Sequence, residues 1–239
     1  MATTRAQLIQ HVALRMDEVS PDIVADDLVV DGSDGNPLYT LIDGLVDGGA
    51  LELFSVAPYW RLPQSVFQQT DVQTEDVGTA RTIADESGTI AVRKVIRLKL
   101  PEDFLRVAEI ICDEFQRPIT EAVPEISDLG KRQHNPYLMA KEAKPVGVLS
   151  HGVWGTGNDA VHCREIDCYS VAAAPTNLVA TYIPKPSMPA SSSSSDVEEV
   201  IPPVLLPALE WLIAARTFGA RGDSNHLAIC QQNAQNLLV

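Results

Sequence analysis

The sequence predicts an α+β fold in which helices from the two ends pack as a small bundle, with an antiparallel β-sheet or sandwich inserted between them. Apolar residues recur at helical spacing near both ends and alternate every second residue through the middle. A Pro- and Ser-rich stretch then separates the middle from the last helices. The expected organisation is an N-terminal helical part over 1–76, an inserted β-rich part over 77–185, a linker over 186–199, and C-terminal helices over 200–239 that complete the helical part.

The first helix opens with Thr4 as its cap and Gln7 three positions on, the pairing of a capping box. Leu8, Val12, Met16 and Val19 then share one face, and Ser20-Pro21 stops the run. The acidic loop PDIVADDLVVDGSDGN follows. Its DGSDGN core invites a calcium-loop reading, but setting Gly35 at the sixth position makes Val30 the first ligand and Leu41 the twelfth, so a turn is expected.

Asn36 as cap and Pro37 at the first helical position open a second helix, with Leu38, Leu41, Ile42, Leu45 and Val46 on a broad apolar face. Gly48-Gly49 weakens its middle, at about 1 kcal/mol per glycine against alanine. Close packing of another backbone explains such a pair, and so does a bend. The helix ends near Ala57, before Pro58, and Tyr59-Trp60 reads as an aromatic anchor in the core.

From about Val77 the period changes. Ile96, Leu98 and Leu100 alternate with Arg97 and Lys99, a strand with one wet face. LPEDF (100–104) reads as a turn that returns the chain as a hairpin partner, LRVAEIICDEF. A short helix is expected around Ile126–His134, then strands over 145–151, 159–171 and 176–184. KPSMPASSSSSD forms a linker that buries little. Beyond it, PPVLLPALEWLIAARTFGA carries only Glu210 and Arg216 as charges, so this helix must be covered on more than one side. Asp223 or Ser224 caps a last helix striped by Leu227, Cys230, Ala234, Leu237 and Leu238 opposite a Gln/Asn-rich face.

The most reactive-looking stretch is HGVWGTGNDAVHCREIDC, residues 151–168. A zinc site built on His162, Cys163 and Cys168 lacks the usual Cys-x2-Cys pair, and on a strand His162 and Cys163 face opposite ways. The Gly-rich GVWGTGN leads into a strand and not the helix a phosphate loop needs. Cys163 beside Arg164, with His151 nearby, is thin support for nucleophilic catalysis. No G-x-S-x-G, Walker loop or H-E-x-x-H occurs. A plain hairpin is expected, with no catalytic, metal or cofactor residue, and with Trp154 at its tip either folded back onto the sheet, the commoner outcome, or offering a loop contact. Arg221-Gly222-Asp223 spells an adhesion tripeptide, yet each residue is what a helix end and the next helix cap require.

The formal net charge is −14, from 18 basic and 32 acidic residues, which argues against a phosphate-binding surface as the main business. Acids are densest between Asp17 and Glu86. No apolar run approaches the roughly 20 residues that span a bilayer, and MATTRAQLIQ lacks a signal-peptide pattern, so synthesis in the cytoplasm without a membrane partner is expected. Four cysteines without framework spacing suit a reducing compartment.

The N-terminal TRAQLIQHVALRM helix, the LPEDFLRV turn and the C-terminal LLPALEWLIAARTFGARGDSN helix pair together resemble the head–tail adaptor, or connector ring, proteins of tailed bacteriophages. The resemblance covers the terminal helices and the first hairpin; the large sheet is a departure from it. It implies a non-enzymatic virion protein at the neck, assembled in a ring of about twelve copies between portal and tail, through which DNA passes without specific binding. Portal and other neck or tail proteins would be the partners, and ejection of DNA the process served. Leu205, Leu209, Trp211, Leu212 and Arg216 would then supply the contact between copies, since an apolar helix needs neighbours. An acidic wall would let DNA slide. The alternative is a tail- or spike-associated β-sandwich module binding a receptor or glycan through Trp154.

Overall fold

The computed structural model describes residues 3–20, 37–71, 74–75, 82–84, 90–92, 94–113, 115–133, 138, 140, 143–154, 161–170, 178–190 and 195–239. Side chains within 70–96 and those of 153, 154, 161 and 170 are outside the description. The acidic loop and the Asn36 cap also lie outside it.

The described helices are α1 (Arg5–Val19), α2 (Pro37–Val56), α3 (Asp128–Arg132), α4 (Leu206–Ala220) and α5 (Ser224–Leu238). The strands are β1 (Gln68–Asp71), β2 (Thr74–Glu75), β3 (Thr82–Ala84), β4 (Ile90–Val92), β5 (Lys94–Lys99), β6 (Phe104–Ile111), β7 (Ala122–Pro124), β8 (Val146–Trp154), β9 (Val161–Ser170) and β10 (Val179–Pro184). The fold is mixed α and β with helices at both ends, as expected. It divides into a helical unit, Met1–Val66 with Lys185–Val239, and a β-rich unit, Phe67–Pro184.

In the helical unit α1 starts as its sequence dictates. Thr4 Oγ1 accepts from the Gln7 amide, and Gln7 Oε1 accepts from the Thr4 amide at 2.9 Å. Leu8, Ile9, Val12, Ala13 and Met16 are buried beneath it. The glycine pair of α2 marks close packing. A Cβ on Gly49 would sit 2.5 Å from Ile213 Cγ1, so α4 approaches α2 there at a distance that glycine permits, whereas a Cβ on Gly48 would meet only the flexible end of Arg216, Nη1, at 2.8 Å.

Helix α4 touches α1, α2 and α5 and buries residues all round its circumference. Its chain then turns at Gly222, whose φ of 80° is the left-handed conformation glycine favours, and Asp223 caps α5 by accepting from the His226 amide. The adhesion-like tripeptide is therefore a helix junction. Leu237, expected on the inner stripe of α5, is exposed, while Cys230, Ala234 and Leu238 are buried.

The stretch expected to be a loosely held linker is stitched to α1 where it is described. Arg5 Nη1 donates to the Pro189 carbonyl at 3.0 Å, Met188 and Val197 are buried, and the Val197 amide donates to the Thr3 carbonyl at 2.8 Å. Serine and proline composition hid two apolar residues that the helical unit takes in.

The β-rich unit holds a three-stranded sheet in the order β1-β10-β6, a five-stranded sheet β2-β5-β9-β8-β7, and the hairpin β3-β4. It begins at Phe67 and not at 77, because Gln68–Asp71 pairs with Val179–Tyr182. The turn after β5 does not make a hairpin. Instead β5 pairs with β9 while β6 pairs with β10 in the other sheet. The crossing lets Leu98 and Leu100 before the turn, and Phe104, Val107 and Ile110 after it, enter one core with Ile166, Cys168, Ala180 and Tyr182. A hairpin would have kept both strands in one layer. β7 runs parallel to β8, so the larger sheet is not wholly antiparallel.

Candidate functional site

The stretch 151–168 forms the β8–β9 hairpin, with Trp154 opposite Val161 and Gly152 opposite Cys163. The Trp154 side chain is outside the description. Alternation sends His162 and Cys163 to opposite faces, and Cys168 to the core beside Cys112. Burial raises the Cys168 thiol far above its ordinary range, aided by Asp167. The Cys163 thiol is also raised, mainly by burial, against the pull of Lys99. Both thiols are held protonated at neutral pH. Among the described residues no three His, Cys, Asp or Glu side chains gather as a metal would require.

The same hairpin carries a polar cluster that the sequence reading passed over. Glu165 and Asp167 lie two residues apart on β9, so both point to one face, and both are buried. Arg97, directly across from Asp167 on β5, donates through Nε to Asp167 Oδ1 at 2.7 Å and through Nη2 to Oδ2 at 3.1 Å. Arg97 Nε is also 3.1 Å from Glu165 Oε1, which accepts from Ser150 Oγ at 3.0 Å. Gly152 makes room for this: a Cβ there would collide with the Glu165 carboxylate. The fork of one guanidinium gathers two buried acids and locks β5, β9 and β8 in register. The period-two spacing of Glu165 and Asp167 is the signal the sequence carries, interleaved with the more conspicuous His162, Cys163 and Cys168.

In the helical unit, the residues expected to meet a second copy lie inside the chain's own packing. Leu205 and Leu209 are wholly buried, and Trp211 and Leu212 nearly so. Arg216 donates through Nε to Glu52 on α2 at 2.7 Å. Glu210, the one acid of α4, is buried against α1. Arg15 Nε donates to its Oε2 at 2.9 Å, His11 Nδ1 lies 3.1 Å from its Oε1, and the Arg15 guanidinium stands over the Trp211 ring at 5.4 Å. The apolar circumference of α4 is thus satisfied by α1, α2 and α5. Its two charges identify which helices cover it, because a buried charge needs a partner.

Where it is described, the acid-rich stretch is less bare than its composition suggests. Arg5 is buried and donates to Asp43 Oδ1 at 2.6 Å, the Asp43 carbonyl at 2.8 Å and Asp47 Oδ2 at 3.3 Å. Glu18 meets Arg15 and Glu52 meets Arg216. Asp43, Asp47 and Glu52 hold helices together, while the Glu18–Arg15 pair lies within α1.

Another part of this unit is open to solvent. Trp60, expected in the core, is 72% exposed in a short 3-10 turn between Pro58 and Pro63. The Arg61 guanidinium lies over its ring at 4.7 Å and donates through Nη2 to the Val239 carbonyl at 2.7 Å. The turn therefore abuts the end of α5. Prolines on both sides remove the aromatic pair from any helix face or strand, so no periodicity required its burial. Exposed tryptophan stacked on arginine is the composition of a binding hot spot.

No protein-family model matches this sequence, and no curated protein resembles it significantly.

Proposed function

We propose that the protein is a non-enzymatic structural subunit of a tailed-phage head–tail connector ring, lying between portal and tail around the path of the DNA. The observation that carries this reading is that helices from the two ends of the chain close into one bundle and present the β-rich unit as an insertion. Terminal helices are the part of the chain that carries the adaptor resemblance; the size of the β-rich unit departs from it. The net charge of −14 supports a wall that DNA slides past. Leu205, Leu209, Trp211 and Leu212 are buried, so in this reading a contact between copies would use exposed residues instead.

Electron microscopy of the purified protein and of its parent particle tests the reading. Closed rings, or density for the protein at the neck, is the expected result. A stable monomer that is absent from the particle, or turnover of a substrate by the purified chain, would overturn it.

A further inference from the structure

Helix α5 contains no charged residue from Ser224 to Leu238 other than what His226 carries when protonated, in a chain with a formal net charge of −14. Its outer stripe is Asn225, Ile229, Gln232 and Asn236, spaced four, three and four residues apart and opposite the buried Cys230, Ala234 and Leu238. Ile229 is 48% exposed at the centre of that stripe. At its far end the Arg61–Val239 bond ties the turn that carries the exposed Trp60 to the end of the helix. Elsewhere in the helical unit the exposed helix faces carry acids such as Glu18 and Asp47.

We propose that this uncharged face of α5, with Trp60 at its border, is where a second copy of this chain docks. Charge selects the occupant. Two molecules of net −14 repel wherever acidic faces meet, and the uncharged stripe is a place where they approach without that cost. A strongly charged partner finds no row of opposite charge here, and interface cores are depleted in charge. Asn and Gln side chains each carry donor and acceptor, so they pair with uncharged polar groups of either kind on the docking copy. Ile229 and Trp60 supply the apolar centre and the aromatic anchor. The inference rests on the reading that the chain assembles with copies of itself, and it names the surface that does so.

The test is sedimentation velocity and light scattering on the full chain from about 1 to 100 μM, for wild type, Trp60→Ala and the double variant Ile229→Arg with Gln232→Glu. Circular dichroism and thermal unfolding check that each variant keeps the wild-type fold; both sites are exposed and tolerate change. The expected result is an assembled wild type and variants whose association weakens by about tenfold or more. Variants that assemble like wild type would overturn this surface while leaving the ring reading in place. A wild type that stays monomeric at the highest concentration would remove both. A two-fold dimer broken by the variants keeps the surface and removes the ring.

Discussion

Arg15 and Glu210 stand 195 positions apart in the chain and meet at 2.9 Å, joining the first helix to the fourth. The Glu210 side chain is only 8% exposed, and its two carboxylate oxygens meet Arg15 and His11. Arg15→Leu leaves the carboxylate buried with His11 alone, and is expected to destabilise the protein by about 2–3 kcal/mol. Adding Glu210→Leu removes the orphaned charge and should recover most of that loss. Urea unfolding of the single and double variants measures it. A double variant as unstable as the single one would mean that packing of Arg15 on Trp211, and not charge, is what α1 contributes.

The glycines of α2 separate two roles in one helix. Gly49→Ala places a methyl 2.5 Å from Ile213 Cγ1, and forcing α4 away is expected to cost about 1–3 kcal/mol. Gly44→Ala, one turn earlier, meets nothing within 4 Å and should stabilise the helix by about 0.5–1 kcal/mol. The opposite signs are the prediction, read as a fall and a rise in thermal midpoint. Two stabilising substitutions would return the glycine pair to a mere bend.

How far the sequence revealed this depends on which interaction placed each element. The Thr4–Gln7 box, the alternation around Ile96–Leu100, the Asp223 cap and the need to cover α4 are local or periodic, and they were legible. The partner of β6 was not, because LPEDF is compatible with either a hairpin or a crossing, and long-range burial of Phe104, Val107 and Ile110 decided it. The apolarity of residues 203–218 calls for neighbours but does not say whether those neighbours belong to the same chain. Trp60 was misplaced because its size suggested the core while its flanking prolines held it out. Glu165 and Asp167 were overlooked because an acidic composition makes carboxylate pairs commonplace, and only the tertiary placement of Arg97 singles these two out.

That cluster is fragile in a specific way. Arg97→Met leaves two buried acids without their shared guanidinium and is expected to cost about 3–5 kcal/mol, enough to lose soluble protein. Gly152→Ala is the gentler probe. Its methyl displaces the Glu165 carboxylate and strains the bonds to Ser150 and Arg97, for a loss of about 1–3 kcal/mol. Gly152→Ala combined with Glu165→Ala opens the space again and should be closer to Glu165→Ala alone than to the sum of both changes. Strict additivity in chemical denaturation would separate Gly152 from the cluster.

The junction of α4 and α5 carries a pH dependence whose sign follows from Asp223. Its side chain accepts from the His226 amide at 3.2 Å and also meets His226 Nδ1, and the side-chain bond to His226 holds the carboxyl below its ordinary value. A depressed carboxyl pKa in the folded state means that the unfolded chain binds the proton more readily. The stabilisation is complete above the unfolded value of about 3.9 and is lost as pH falls through the lower folded value. Asp223→Ala is therefore expected to lower the thermal midpoint at neutral pH, with the gap from wild type closing as the solution is acidified below about pH 4. Asp223→Asn keeps a capping oxygen but not the charge, so it should fall between the two at neutral pH and contribute no acid titration of its own. An Asp223→Ala gap that stays constant down to strongly acid solution would mean that the cap acts through its hydrogen bond alone and that the charge on Asp223 does nothing for the fold.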